Sequence, residues 1–162
     1  QIAQAASTVN SQQRERMLEK IGAAVGKVKG STVAMLGLSF KPNTNDLREA
    51  PALAIAQALM QEGASLRGYD PAALEEAAQA LTGMIPCKDP YDAATGADAL
   101  VLMTEWNEFR NLDFAKLKTL MRKPVLINLR NVYESNRVTS FGFHHISVGR
   151  APKDPAAQAH NG

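Results

Sequence analysis

Two apolar rhythms alternate in this chain. From residue 1 to about 29 the spacing is helical. Ile2, Ala5, Ala6, Val9, Met17, Ile21, Ala24 and Val25 recur at three- and four-residue steps, with Gln, Arg, Glu and Lys between them. A helix of that length needs a partner for its stripe: this domain, another domain or a second subunit. Lys29-Gly30-Ser31 ends the pattern. Short, nearly all-apolar runs follow, predicting strands at Thr32–Leu36, Ser65–Tyr69, Met84–Cys87, Ala99–Met103, Pro124–Ile127 and His145–Val148. Helical segments separate them. Ala50–Gln61 carries Pro51 in its first turn and Gly63 as its stop. Ala72–Leu81 has Asp70 placed to cap it, Pro90–Thr95 is short, a turn of helix surrounds Trp106, and Asp113 caps a helix running to Met121. Strand–helix alternation with strands apolar on both faces predicts an α/β fold, a doubly wound, mostly parallel sheet with helices on both faces. The units read as a helix over 1–29, an α/β domain over 30–150 and a patternless, disordered tail over 151–162.

Composition narrows the function classes. The chain has 162 residues, 45% hydrophobic and 21% charged, as expected of one globular domain with a full core. A net charge of +2 without a dense Lys/Arg block argues against a nucleic-acid surface. The longest apolar runs fall well short of the ~20 residues a membrane span requires. One cysteine allows no internal disulfide, which fits a reducing compartment such as the cytoplasm. The chain opens on Gln1 inside a helical pattern, with neither a starting methionine nor a signal-peptide profile, as a segment of a longer polypeptide would.

The chemistry concentrates where predicted strands end. Gly37-Leu-Ser-Phe-Lys-Pro-Asn-Thr-Asn-Asp-Leu-Arg-Glu-Ala-Pro51 joins the first strand to the next helix. It exceeds the roughly two to six residues such a connection needs, and it carries Phe40, Lys41 and Arg48. In open α/β sheets ligands bind at this edge, so the loop suits an anion. Its ordinary alternative is a solvated loop with an Asp46–Arg48 contact, and a loop of this polarity is expected to move more than the strand before it. The G-x-G-x-x-G turn of a dinucleotide site is absent, since one glycine is followed by Leu38, Ser39 and Phe40. Thr104-Glu-Trp-Asn-Glu-Phe-Arg110 follows another strand, and Trp106 and Phe109 suit either a stacking platform or, more commonly, core. Asn128-Leu-Arg-Asn131 puts Arg130 at the same edge, as a diphosphate-binding fork or as a structural partner of Asp70 or Asp98. Cys87 reads as a small core residue. His144 and His145 point to opposite faces of a strand, which disfavours a shared metal.

Together these segments resemble the C-terminal domain of the UDP-glucose/GDP-mannose dehydrogenase family. That family's loop runs approximately G-[LA]-[SA]-F-K-x-x-T-x-D-x-R-E-[SA]-P, matched from Gly37 to Pro51. Gly68-Tyr-Asp-Pro71 matches its A-Y-D-P, Ala97 to Phe109 its A-D-A-x-V-x-x-T-E-W-x-E-F, Asn128-Leu-Arg-Asn131 its D-x-R-N, and Val148-Gly149-Arg150 its terminal I-G-R. The opening helix, with Val9-Asn10, is similar to the back half of the helix that links the family's two domains. The resemblance spans residues 1 to 150. Asn128 and Asn45 depart from the more usual Asp.

The resemblance implies a Rossmann-like domain that holds a UDP-sugar, with Phe40, Lys41 and Arg130 contacting the nucleotide sugar and Arg48 reaching NAD. The family oxidises the C6 alcohol of a nucleotide sugar to a carboxylate with two NAD, holding the aldehyde stage on a cysteine thiolate. It implies that this cysteine and the dinucleotide fold precede Gln1, so Cys87 is not the nucleophile and no catalytic residue lies here. It also implies an N-terminal dinucleotide-binding domain as partner, a homodimer, and no activity for this segment alone. UDP-glucose is the expected substrate, because GDP-mannose members more often show A-G-T after the loop lysine. GDP-mannose or UDP-N-acetylhexosamine remains an alternative, as does a stand-alone nucleotide-binding or interaction module.

Overall fold

The computed structural model describes residues 2–38, 51–104, 106–128 and 135–147, with side chains from residue 14 onward except 135 and 136. Helix α1 (Ile2–Val25) leads into β1 (Thr32–Leu36), α2 (Pro51–Gln61), β2 (Ser65–Tyr69), α3 (Leu74–Ala80) and β3 (Ile85–Pro86). Then come α4 (Pro90–Ala94), β4 (Ala99–Leu102), α5 (Asn107–Arg110), α6 (Phe114–Leu120), β5 (Val125–Asn128), α7 (Ser135–Ser140) and β6 (His144–Ser147). Six strands form one sheet in the order β3-β2-β1-β4-β5-β6, and every pairing is parallel. The doubly wound sheet expected from the alternation of strand and helix signals is the one that forms.

The sheet separates two apolar layers. Val33, Met35, Val101, Ile127 and Ile146 face Ile21 and Val25 of α1, Ile55 and Leu59 of α2 and Ala77 of α3. Ala34, Leu36, Leu100, Leu102 and Leu126 face Ala93 of α4, Phe109 of α5, Phe114 and Leu117 of α6 and Val138 of α7. This is why β1, β4 and β5 read as unbroken apolar runs: both faces of the central strands lie in core. Phe114 and Phe143 pack edge to face at 5.7 Å between centroids and anchor the second layer.

Local chemistry sets the boundaries. Gly63 ends α2 at φ +97°, a backbone conformation that glycine adopts without strain. Asp113 Oδ1 accepts from Lys116 N at 3.1 Å and starts α6, and Asp89 Oδ1 accepts from Asp92 N at 2.7 Å and starts α4. Arg67, on β2, donates to Asp92 Oδ1 at 3.2 Å and to the Asp92 carbonyl at 2.9 Å, tying α4 to the sheet. At the other edge Lys20 Nζ donates to the Ser147 carbonyl at 3.0 Å, so α1 is pinned to the last strand.

Four details differ from the sequence reading. Asp70 does not cap α3, whose first flanking residue is Ala73; its carboxylate instead accepts from Ala72 N and Ala73 N in the turn before that helix. Strand β3 is only two residues long, and β6 begins one residue early. Helix α7 was not expected, because Ser-Asn-Arg-Val-Thr-Ser offers poor helix formers and one apolar residue. Tertiary contact forms it: Val138 is fully buried and Thr139 nearly so. The tail over 151–162 lies outside the described residues.

Candidate functional site

The carboxyl ends of the central strands finish in one row. Leu36 of β1 pairs with Leu102 of β4, and Leu102 pairs with Asn128 of β5. On the other side Leu36 pairs with Tyr69 of β2. The strand order reverses between β1 and β4, and that switch point is where open α/β sheets form a ligand crevice. The segments bearing residues 37–50, 103–106 and 129–134 all leave from this row.

Backbone and side-chain bonds fix the exit of β1. Gly37 N donates to the Tyr69 carbonyl at 2.8 Å, and Met103 N donates to the Leu36 carbonyl at 2.9 Å. Gly37 has φ +94°. A Cβ added there would come within 2.9 Å of Thr104 Cβ and 2.9 Å of Thr104 N, so the position requires glycine for both reasons. Leu38, fully buried, donates its N–H to Asp70 Oδ2 at 2.8 Å. Thr104 is 2% exposed, and its hydroxyl and the Trp106 indole N–H are enclosed without a hydrogen-bond partner among the described residues.

Aromatic side chains form the flank. Phe109 is fully buried, and Tyr69 meets it edge-on at 6.2 Å between centroids. Trp106 packs partly buried against the same layer. Of the two uses open to Trp106 and Phe109, Phe109 is core. Burial first, and then a hydrogen bond to the Glu108 carboxylate, hold the Tyr69 phenol above its ordinary range.

Among the described residues, the turn after β1 lacks the glycine-rich pattern of a dinucleotide site. The glycine turn that would admit a diphosphate is replaced by Thr104 over Gly37 and by a buried Leu38. The acid after β2, at the position that in a dinucleotide site faces the ribose, is Asp70, and it accepts from the main-chain N–H groups of Leu38, Ala72 and Ala73.

Of the residues read as site candidates, Phe40, Lys41, Arg48 and Arg130 lie outside the described residues, as does the expectation of a mobile loop. The described edge brings together residues that the motifs did not single out for this purpose: Asp70, Thr104 and Gly37. Asp70 was marked as a cap, as a structural partner for Arg130 and within the Gly68–Pro71 motif, but not as a partner of Leu38, which lies 32 residues away with no local signal to connect them. Cys87 is 2% exposed, as expected of a core residue, and burial pushes its thiol up against the opposing pull of Arg67. His145 is buried at 1% exposure and His144 is less so, on opposite faces as expected. Asp98, one suggested partner for Arg130, pairs with Arg122 at 3.6 Å and accepts from Thr32 N at 2.9 Å. No group of three or more metal-ligating side chains occurs among the described residues.

The sheet order and the flush strand ends define an α/β domain of Rossmann type. Residues 34–135, well over half of the chain, match the UDP-glucose/GDP-mannose dehydrogenase family, UDP binding domain, and the chain belongs to that family. It is similar to UDP-glucose 6-dehydrogenase of Rhizobium meliloti, with 50% identity over 143 residues, covering 88% of this chain and 33% of that protein. UDP-glucose 6-dehydrogenase of Pseudomonas aeruginosa is 41% identical over 157 residues, covering 93% of this chain and 35% of that protein. The fold matches a solved NDP-N-acetyl-D-galactosaminuronic acid dehydrogenase from Methanosarcina mazei with TM-score 0.81 and 26% identity, over 99% of this chain and 33% of that one. The chain spans about a third of the length of the curated relatives it matches.

Proposed function

We propose that this chain is the nucleotide-sugar-binding part of a UDP-glucose 6-dehydrogenase, an NAD-dependent enzyme that oxidises UDP-glucose to UDP-glucuronate. The observation that carries this reading is the flush row of Leu36, Leu102 and Asn128 at the switch point. Adjacent strands are ~4.8 Å apart, so β1 and β5, with β4 between them, end about 10 Å from each other. Three peptide links hold Lys41 within about 11 Å of Leu38, and two hold Arg130 within about 8 Å of Asn128. Both cations are therefore tethered to nearby strand ends on one edge of the sheet. In this reading Lys41 and Arg130 bind the UDP-sugar, Phe40 packs against it, and Arg48 reaches NAD held by an N-terminal dinucleotide-binding domain of the same polypeptide. That domain also supplies the catalytic cysteine, α1 links the two domains and contributes to a homodimer, and the enzyme works in the cytoplasm. The turn at Gly37 supports the division of labour, because it lacks the glycine pattern of a dinucleotide site. Among the described residues no helix is long and apolar enough to cross a membrane.

The test is steady-state kinetics of the full-length enzyme. Lys41→Ala and Arg130→Ala each remove a charge-assisted hydrogen bond, on the order of 1.5–3 kcal/mol, and should raise the UDP-glucose KM about tenfold to over a hundredfold. Cys87→Ser should leave turnover nearly intact. Lost activity in folded Cys87→Ser, with unchanged KM in the two cation variants, would sink this reading.

A further inference from the structure

We propose that Asp70 is a positioning residue for the nucleotide-sugar site: its carboxylate sets the direction in which the chain leaves β1 toward Lys41. The inference rests on the functional reading above. In an extended strand, successive N–H groups point to opposite neighbours. Gly37 and Leu38 break that alternation. Gly37 N donates to the β2 carbonyl of Tyr69 at 2.8 Å, and Leu38 N, the very next donor, also turns toward β2 and meets Asp70 Oδ2 at 2.8 Å. The positive φ of Gly37, +94°, is the rotation at that step. Asp70 is itself immobilised. Its other oxygen accepts from Ala72 N and Ala73 N, each at 2.8 Å, and the residue is 2% exposed. A buried carboxylate is costly to desolvate unless its oxygens are hydrogen-bonded, and three N–H groups do that here. One rigid group thus bridges the β2–α3 turn and the root of the loop, while Thr104 closes the opposite side over Gly37.

The two carboxylate oxygens do separate jobs, so they can be separated by mutation. In Asp70→Asn the side-chain carbonyl keeps both turn N–H groups, and the amide, a donor, faces the Leu38 N–H donor. Asp70→Ser keeps a short acceptor for the turn and lacks the reach to Leu38. Both variants are to be studied in this chain by amide exchange and titration with UDP, and in the full-length enzyme by kinetics. The expected result is exchange at Leu38 faster by about tenfold or more and UDP binding weaker by about tenfold. Exchange at Leu100 and Val101 should stay as in the parent, and in the full-length enzyme KM should rise while kcat is largely kept. Unchanged Leu38 exchange, or faster exchange with unchanged UDP affinity, in either folded variant overturns the inference. A kcat loss without a KM change also overturns it. A parent chain and parent enzyme that bind no UDP would instead overturn the functional reading on which it rests.

Discussion

At Gly37 two constraints meet in one residue. Its φ of +94° disfavours any side chain, and its Cα faces Thr104 too closely to admit one. Gly37→Ala should therefore cost on the order of 1–3 kcal/mol from backbone conformation alone, with the steric term added. Urea unfolding would show this as a lower midpoint at unchanged slope, and a wild-type midpoint would argue against the geometry. Two acids raised by burial make a second prediction. Cys87 and Tyr69 both hold their protons more tightly in the folded state. The unfolded chain releases them first, so their contribution is fully present below the ordinary thiol and phenol values and is lost as pH rises through them. Stability should fall from about pH 8.5 upward, first through Cys87 and then, above about pH 10, through Tyr69. Cys87→Ala should flatten the first part of the fall and Tyr69→Phe the second, read from urea midpoints across pH 7–11. An equal slope in parent and variants would disprove it.

Among the elements, those with the clearest sequence signal are those whose stability is local or fully buried. Strands β1, β4 and β5 are apolar at every buried position except Asn128, where β5 ends, because both faces of the sheet are covered, and their runs could be read directly. The cap at Asp113 and the stop at Gly63 are equally local. Helix α7 escaped because packing around Val138, not propensity, makes it. The Asp70–Leu38 bond escaped because it joins residues 32 apart in sequence. The site cations were read from motif and loop length, and what the described structure adds is the row of strand ends that tethers them. Helix α1 shows the same division. Its stripe was visible, and Ile21 and Val25 turn out to enter the core of this domain beside β4 and β5. Ile21 is fully buried, so Ile21→Ala should destabilise by about 2–5 kcal/mol, measured by chemical denaturation. A loss below about 1 kcal/mol would mean that α1 is held from elsewhere.

For the molecule as a whole, the fold alone does not choose the ligand. A solved NDP-N-acetyl-D-galactosaminuronic acid dehydrogenase shares the architecture at TM-score 0.81, although it is only 26% identical. The family match names UDP, and relatives at 50% and 41% identity are named for UDP-glucose. The turn at Gly37 lacks the glycine pattern of a dinucleotide site. These observations give an ordered expectation for ligand-linked stability. A ligand that binds only the folded chain stabilises it by about 2.7 kcal/mol at a hundred times its Kd. For a domain of this size each kcal/mol is worth roughly 2–4 °C in Tm. UDP and UDP-glucose at millimolar concentration should raise the Tm of the chain by several degrees, GDP by less, and NAD should leave it unchanged. Calorimetric scans with each nucleotide at equal concentration and ionic strength would decide. A larger shift with GDP than with UDP would reassign the substrate to the GDP-mannose side of the family, and a shift with NAD alone would mean that this edge takes a dinucleotide.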